Sequence, residues 1–466
     1  MEIYNTLTKK IETFTPNEGK TVRMYTCGPT VYHYAHIGNL RTYIFEDILE
    51  KGLEYLGYDV LRVMNVTDVG HLTSDGDTGE DKMKKGAERE HKTVYEIRDF
   101  YENAFFEDCA KLNIRKPKTV ERATNHIDTY IKMIQKLLDL GYAYKSNGNI
   151  YFDVSKANNY YELSGKKQEE LLVGVRDSVE NDEKKKNPFD FGLWFTDSKF
   201  NDQDMKWDSP WGVGYPGWHI ECSGISYKFL GEYLDIHCGG VDNIFPHHTN
   251  EIAQSEAFLG HKWCNYWIHG EHLNDNSGKM SKSKGEFLTV SVLENKGYNP
   301  LVYRYFCLNS HYRNQLTFSY DGLNSAKNAY EKLKNKIQKL CDTQNVNQEK
   351  LDEYKEKFKK AIENDLNTSS MITLVYDVLK DEDTNDTTKI KIIENFDTVL
   401  SLNLVEVNKE KLIDEDTKLM IEKKIEERKM AKINKDYEKA DKIRQELLEK
   451  GIKIIDGREK TTYEII

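Results

Sequence analysis

The chain has 466 residues, of which 38% are hydrophobic and 31% are charged. At roughly 150 residues per domain, this length leaves room for about three domains with cores of their own, which excludes a small fold held together by disulfides or by a metal alone. The formal net charge of −11 repels polyanions, so any contact with nucleic acid requires a locally basic surface.

The N-terminal part of the chain predicts a parallel sheet. A strand is expected over 22–27, where the residues alternate like those of a strand until Gly28 and Pro29 break the run. A helix follows, with apolar residues at helical spacing from Leu40 to Ile48, and Gly57 ends it. The run 59–66 predicts a second strand. The order strand, helix, strand is typical of a doubly wound, Rossmann-like α/β domain.

The middle of the chain predicts an insertion into this domain. We expect an amphipathic helix over 119–140 and then a hairpin over 142–154 with its turn at 147–149. The mixed charges of 180–187 have no apolar period and indicate a solvated loop. Beyond about residue 319 the pattern changes to long helices rich in Lys and Glu, broken near 342–348 and 381–388, which predicts a helical bundle.

These elements divide the chain into five segments. The segments are two halves of the α/β domain (1–115 and 209–318), a connective insertion (116–208), a helical bundle (319–415) and a C-terminal tail (416–466).

Two short motifs point to phosphate chemistry. The first is His36-Ile37-Gly38-Asn39, at the junction of the first strand and helix, where free backbone N–H groups and the helix dipole can face a phosphate. Taken alone, the motif is a weak signal, and a helix-capping histidine is the better interpretation. The second is the run 279–283, Lys-Met-Ser-Lys-Ser, whose two lysines could clamp a polyphosphate or could simply form a solvated basic loop.

Together the two motifs resemble the signatures of class I aminoacyl-tRNA synthetases, His-Ile-Gly-His and Lys-Met-Ser-Lys-Ser, in the same order. The resemblance implies catalytic roles for His36, Asn39, Lys279 and Lys282. Asn39 departs from the family pattern, because a second histidine usually stands there, although an amide N–H can also donate to a developing charge. The Gly- and Asp-rich stretch after Asp68 departs as well, and we assign it no role.

Two further sequence blocks indicate which amino acid is the substrate. The runs 216–223 and 235–255 are similar to the corresponding blocks of cysteinyl-tRNA synthetases. The resemblance implies one tetrahedral zinc ion per chain, held by Cys27, Cys222, His247 and Glu251. Without the resemblance, two buried thiols and an ordinary His/Glu pair would be the better interpretation, because the spacing matches no compact zinc motif. His248 and Cys238 are rival donors that we interpret as supporting or packing residues.

The same resemblance assigns the substrate contacts. The positions implied for cysteine binding are Thr67, Trp218 and His237. Those implied for ATP binding are Gly28, Gly38, Gly239, Gly240, Asp242 and Lys282. Each has an ordinary alternative, such as a core tryptophan, a strand-end cap, a turn or a loop carboxylate. Magnesium is expected to arrive with the ATP phosphates, because the sequence contains no dedicated carboxylate cage.

The tail supplies the local basic surface that the net charge demands. From Lys418 to the end there are 14 basic and 11 acidic side chains, so the tail has a net positive charge, opposite in sign to that of the whole chain. The run 421–452 and the closing segment to Tyr463 resemble the anticodon-binding tail of cysteinyl-tRNA synthetases. The alternative is a charged, solvated helical hairpin that binds nothing.

No run approaches the roughly 18 apolar residues of a membrane helix, and the start of the chain lacks a signal-like pattern. The cysteine count is odd, seven, and the residues are scattered, which suits a reducing compartment. We therefore expect a cytoplasmic protein without a membrane contact. Nothing in the sequence indicates an obligate protein partner, so we expect a monomer.

The resemblance implies a ligase that activates L-cysteine with ATP and transfers it to the 2′-hydroxyl of the terminal ribose of cysteine tRNA. Zinc would select the thiol, because a thiol loses its proton far more readily than a hydroxyl and binds zinc as a soft thiolate. Two alternatives stay open. One is a paralogue that joins cysteine to an amino-sugar, and the other is a non-catalytic tRNA-binding protein on the same fold.

Overall fold

A computed structural model describes the chain in two compact units, Met1–Leu404 and Val405–Ile466. The described residues are 1–70, 82–166, 185–196, 205–275, 278–279, 287–342, 345–405, 415–434, 436–450, 452–456 and 461–465. In these parts of the chain, every helix is too short or too polar to cross a bilayer.

The strands of the first unit are, in chain order, β1 (Glu2–Asn5), β2 (Lys10–Thr13), β3 (Thr21–Thr26), β4 (Asp59–Val66), β5 (Thr119–Arg122), β6 (Ala143–Ser146), β7 (Asn149–Phe152), β8 (Phe191–Phe195), β9 (Tyr215–Pro216), β10 (Leu234–Gly240), β11 (Cys264–Gly270), β12 (Leu273–Asp275), β13 (Gly278–Lys279) and β14 (Leu316–Thr317). Its helices are α1 (Ile37–Tyr55), α2 (Lys82–Glu90), α3 (Val94–Lys111), α4 (Ile127–Asp139), α5 (Trp218–Leu230), α6 (Thr249–Leu259), α7 (Val290–Asn295), α8 (Pro300–Leu308), α9 (Tyr320–Ile337), α10 (Gln348–Glu363), α11 (Thr368–Lys380) and α12 (Asp386–Leu400).

The second unit contains the helices α13 (Glu415–Ile433) and α14 (Tyr437–Glu449) and the antiparallel pair β15 (Ile452–Asp456) and β16 (Thr461–Ile465). Its core is formed by apolar side chains of α13, α14 and β15, among them Ile421, Ile443 and Leu447.

The centre of the first unit is a parallel sheet with strand order β11-β10-β3-β4-β5. Residues 22, 24, 25 and 26 of β3 are buried, and so are all residues of β4 from Arg62 to Val66. Burial on both faces is what a strand in the middle of a parallel sheet requires. The predicted strand, helix, strand order is confirmed, and with it the Rossmann-like α/β class.

One predicted element begins in the wrong place. Residues 119–122 do not form the first turn of a helix; they form β5, which pairs in parallel with β4 from Val63↔Thr119 to Val66↔Arg122. A short 3₁₀ turn follows, and the helix α4 begins only at Ile127. The apolar helical period itself starts at Ile127, so the sequence before it carried no helical signal. The free edge of β4 decides that Thr119 and Val120, both β-branched, become a strand.

The hairpin and the bundle follow the sequence closely. The predicted hairpin is the pair β6 and β7, which joins β8 and β9 in an antiparallel sheet packed on α4. Asn147 and Gly148 both have positive φ at its turn, which is why this dipeptide signals a hairpin. The helices α9 to α12 form the predicted bundle, separated by the polar links that the sequence shows.

A buried ionic cluster ties the bundle to the sheet domain. The guanidinium of Arg304 on α8 lies 2.6 Å from Oδ2 of Asp47 on α1 and donates to the carbonyl of Leu400 at 2.7 Å. Lys51, one turn further along α1, donates to the same carboxylate at 2.7 Å. Arg304 and Asp47 are fully buried, so each charge depends on the other for compensation.

Candidate active site and metal centre

A cleft of about 440 Å³ opens at the carboxyl ends of β3, β10 and β11. This edge is where open α/β sheets bind their ligands. Nine of the predicted site residues line it, namely Cys27, Gly28, His36, Gly38, Asn39, Trp218, Gly239, Gly240 and Asp242. They come from β3, α1, α5 and the end of β10, which are far apart in the chain.

The N-terminus of α1 forms one wall of the cleft. His36 is the N-cap, and its Nδ1 accepts the amide of Gly38 at 3.0 Å. The amide of Ile37 donates to the Leu288 carbonyl at 2.9 Å, and that of Asn39 to the His36 carbonyl at 2.9 Å. The expectation of free backbone donors at this junction is therefore wrong. What the helix offers a phosphate is its dipole and the side chains at its end.

Asn39 closes the other half of a capping box. Its Oδ1 accepts the backbone amide of His36 at 3.3 Å. Because the oxygen is used in this way, the Nδ2 group is the half of the amide that can donate to a ligand, and Asn39 is exposed in the cleft. Asn39 thus supports the helix end with one atom and can meet a ligand with the other.

Gly28 lies where the chain leaves β3 and passes very close to β4. Its amide donates to Oδ1 of Asn65 at 2.8 Å, and a Cβ at this position would lie 1.6 Å from the Asn65 carbonyl oxygen. Only glycine fits so near the neighbouring backbone. Gly28 therefore sets the position of the preceding residue, Cys27.

Four donor side chains converge beneath the cleft. One donor atom from each of Cys27, Cys222, His247 and Glu251 lies within 4.8 Å of the other three. The two sulfurs are 3.8 Å apart, and Nε2 of His247 is 3.0 Å from Oε1 of Glu251. These are the four residues that the family resemblance implies as zinc ligands, and the two cysteines are 195 positions apart in the chain.

The chemistry of this cluster fits a divalent cation. Glu251 is fully buried, its Oε1 makes no hydrogen bond within the described residues, and burial raises the pKa of its carboxyl well above the usual value. Burial also raises the pKa of the Cys27 and Cys222 thiols, and the nearby Cys222 sulfur raises the pKa of Cys27 further. A bound cation would compensate the negative charge that this pocket otherwise disfavours.

A second donor set overlaps the first. Cys27 and Glu251 also converge with His237 and His248, whose Nε2 lies 3.2 Å from the Cys27 sulfur. Burial lowers the pKa of His237 to about 3 and that of His248 well below its usual value, so both rings are neutral. The geometry by itself therefore offers two candidate ligand sets that share two members.

Two residues predicted to bind cysteine lie behind the cleft wall. Thr67 is 1% exposed, and its hydroxyl donates to Glu221 at 2.8 Å while it accepts from Asn65 at 3.0 Å. His237 is fully buried, with Nε2 3.0 Å from Oε2 of Glu251. Neither lines the cleft, so their assignment to the cysteine pocket stays a prediction.

Trp218 connects the cleft with the donor cluster. It lines the cleft, and its ring stacks on that of His247 with centroids 4.1 Å apart and planes at 22°. Trp218 is the first residue of α5, which also carries Cys222 one turn later. A substrate side chain that reaches past Trp218 therefore arrives at the cluster.

The remaining predicted residues lie at or outside the limits of the described chain. The backbone of Lys279 belongs to β13 and pairs with Asn274 of β12. Lys282 and the Gly- and Asp-rich stretch 71–81 lie outside the described residues. On the opposite wall of the cleft, Asp242 lies 3.4 Å from Nε2 of His272.

Two buried neighbours of the donor cluster were not predicted from the sequence. Nδ1 of His219 lies 2.9 Å from Nδ1 of His247, and Oδ1 of Asn65 lies 3.6 Å from the Cys222 sulfur. Both are buried. Their one signal in the sequence is adjacency, because His219 follows Trp218 directly and Asn65 is two residues before Thr67.

Comparison with known proteins gives a consistent result. The family model described as the class I (C) tRNA synthetase catalytic domain matches residues 13–328. A cysteine–tRNA ligase of Treponema denticola is 46% identical over 99% of both chains. One from Borreliella burgdorferi is 44% identical over 99% of this chain and 98% of the relative.

A solved structure shares the fold. Methionyl-tRNA synthetase of Mycobacterium tuberculosis, in complex with methionyl-adenylate, superposes with a TM-score of 0.56 at 14% identity, over 83% of this chain and 92% of that one. At this identity the likeness concerns the fold alone.

Proposed function

The chain belongs to the cysteine–tRNA ligase family of class I aminoacyl-tRNA synthetases, and we propose that it joins L-cysteine to the terminal ribose of cysteine tRNA. As a synthetase it takes an amino acid, ATP and a tRNA as substrates. In the first step the cysteine carboxylate attacks the α-phosphate of ATP, which gives cysteinyl-adenylate and releases pyrophosphate. In the second step the 2′-hydroxyl of the terminal ribose attacks the cysteinyl carbonyl and releases AMP.

One observation carries the choice of cysteine. Cys27 both lines the cleft and belongs to the donor cluster, and Trp218 lines the same cleft and stacks on the cluster residue His247. A side chain bound between them lies next to the cluster. A small thiol is the amino-acid side chain best suited to such a position.

We assign the metal to Cys27, Cys222, His247 and Glu251, a sulfur, nitrogen and oxygen set suited to zinc. When bound, zinc would supply a borderline-soft Lewis acid that favours a thiolate and so separates cysteine from serine, two side chains that pocket shape alone distinguishes weakly. The protein's part is to keep the four donors together and dry. Trp218 covers one face of His247, and the cluster residues other than Cys27 are buried.

The ATP side of the cleft relies on positioning and charge. The dipole of α1 and the side chains of His36 and Asn39 face the cleft, where they can stabilise charge on the phosphate oxygens. Gly239 and Gly240 line the opposite wall. No protein nucleophile is needed, because in-line attack at phosphorus depends on orientation and electrostatic stabilisation. Lys279 and Lys282 remain our candidates for binding the pyrophosphate, with magnesium bound through the phosphates of ATP.

The second unit is our candidate for anticodon binding. It carries the basic tail in a helical hairpin and a strand pair. We further propose that the protein acts as a monomer in the cytosol.

Transfer of labelled cysteine to total tRNA tests the proposal, with ATP, magnesium and zinc-loaded protein and with serine in parallel. We expect charging with cysteine alone. Cys222→Ser should abolish it, whereas Cys264→Ser should not, because Cys264 is equally buried but lies outside the donor cluster and its sulfur hydrogen-bonds to the backbone carbonyls of Asp235 and Tyr266. Cysteine-dependent ATP consumption without charging of tRNA would instead support the amino-sugar ligase. tRNA binding without either activity would support the non-catalytic alternative.

A further inference from the structure

We propose that His219 is a positioning residue of the metal centre, which accepts the Nδ1–H of His247 and thereby turns Nε2 of His247 toward the cation. The proposal rests on the zinc site proposed above. Its basis is the 2.9 Å separation between the two Nδ1 atoms, in a region where His219 is 2% and His247 1% exposed.

The direction of this hydrogen bond follows from counting protons. A neutral imidazole has one N–H and one lone pair, so a bond between two ring nitrogens needs the N–H from one ring and the lone pair from the other. If His247 binds the cation through Nε2, its proton is on Nδ1. His247 must then donate and His219 must accept, which leaves the proton of His219 on Nε2.

His219 is itself firmly held. Its carbonyl accepts from Nε2 of Gln254 at 2.7 Å, and the ring of Phe191 packs against its imidazole edge to face, with centroids 5.5 Å apart. Because His219 follows Trp218 on α5, the two residues restrain His247 together: Trp218 stacks on its face and His219 bonds its edge. Rotation of the His247 ring away from the cation would break that bond.

The rival donor set has a different partner, which makes the proposal discriminating. Nδ1 of His248 lies 2.8 Å from Nε2 of His269, and Nδ1 of His269 lies 2.8 Å from the Thr6 hydroxyl. If the rival set held the cation, with His237 and His248 as nitrogen ligands in place of His247, His269 would be the residue that orients His248. The two partner histidines thus report which ligand set holds the metal.

The test measures metal binding rather than aminoacylation. Zinc affinity is determined by competition with a chromophoric chelator, and ligand geometry by the visible absorption of the Co²⁺-loaded protein, for wild type and four variants. His219→Phe keeps the ring shape but removes the acceptor. His219→Asn returns an acceptor oxygen near the Nδ1 position. His269→Phe probes the rival set, and His126→Phe is the matched control, a buried histidine outside the cluster that also packs against a phenylalanine edge to face.

We expect His219→Phe to weaken zinc binding about tenfold to a hundredfold and to alter the Co²⁺ spectrum, as is typical when a residue that orients a ligand is lost. His219→Asn should recover most of the affinity, and His269→Phe and His126→Phe should bind as wild type does. Wild-type affinity in His219→Phe, or a loss confined to His269→Phe, would overturn the proposal.

A measurement on the wild type keeps the test independent of how the variants fold. In zinc-loaded protein labelled with ¹⁵N-histidine, His219 should be the Nε2–H tautomer and His247 the Nδ1–H tautomer; the reverse would overturn the inference. Absence of zinc binding in the wild type would refute the zinc site itself, which is a distinguishable result.

Discussion

Gly28→Ala should damage the metal centre without changing any of its ligands. A Cβ on residue 28 would lie 1.6 Å from the carbonyl oxygen of Asn65 and 2.7 Å from its carbonyl carbon. Both atoms belong to the backbone of β4, which is held on both sides by parallel pairing. Since unbonded heavy atoms settle at about 3.5 Å, the chain at 27–28 must move away from β4 by more than about 1 Å.

This displacement has two costs that can be estimated separately. Inserting a methyl group into a packed site costs about 1–3 kcal/mol, and loss of the bond from the Gly28 amide to Asn65 adds about 1 kcal/mol. The free energy of unfolding should therefore fall by about 2–4 kcal/mol. The same movement carries Cys27 away from Cys222, and a shift of about 1 Å at a reacting centre can lower the rate about a hundredfold.

Urea unfolding followed by circular dichroism measures the first effect, and zinc affinity together with kcat/KM for cysteine measures the second. Gly52→Ala on α1 is the control: its Cβ would meet only the ends of Ile362 and Leu366 side chains at 3.2 Å, and alanine favours a helix interior. We expect the control to keep wild-type zinc affinity and stability within about 1 kcal/mol. If Gly28→Ala bound zinc and unfolded as the wild type does, the steric reasoning would be refuted.

Three other perturbations have definite outcomes. Removal of zinc with a strong chelator should abolish cysteine charging. It should also lower the free energy of unfolding by about 3 kcal/mol, compared with protein in zinc at a hundred times Kd. Adding zinc, but not magnesium, should restore both properties, and an unchanged thermal midpoint after chelation would contradict the expectation. Arg304→Met leaves the buried carboxylate of Asp47 with Lys51 as its remaining cationic partner in the ionic cluster. The free energy of unfolding measured in urea should fall by about 3–5 kcal/mol. A fall of less than about 1 kcal/mol would contradict the stabilising role of the cluster. Burial lowers the pKa of Lys51 to about 8. Between about pH 8 and 10.5 the unfolded chain therefore holds more protons on this lysine than the folded chain does, so the contribution of Lys51 to the free energy of unfolding rises with pH. The difference in urea midpoint between wild type and Lys51→Met should rise across this pH window, and a constant difference would disprove the expectation.

Periodicity and chain-breaking residues determined much of the fold before any contact was known. The strands β3 and β4, the helix α1 and the hairpin of β6 and β7 all follow from patterns that extend over a few neighbours. The start of α4 did not follow from such a pattern, because residues 119–122 form β5 only by pairing with the edge of β4. Strand pairing is a contact between distant parts of the chain, and no local pattern before Ile127 announced it.

The candidate site divides in the same way. The residues that the sequence marks as motifs line the cleft in large part, from Cys27 to Asp242. Tertiary packing alone decided that the Ile37 amide is bonded to the Leu288 carbonyl. It also placed Thr67 and His237 behind the cleft wall and brought Nδ1 of His219 to Nδ1 of His247. Residue types and their spacing specify which donor groups are available, because both are properties of the covalent chain. Which lone pair faces which partner depends on how α5 and α6 pack against β3 and β10, and that is set only when the whole core has formed.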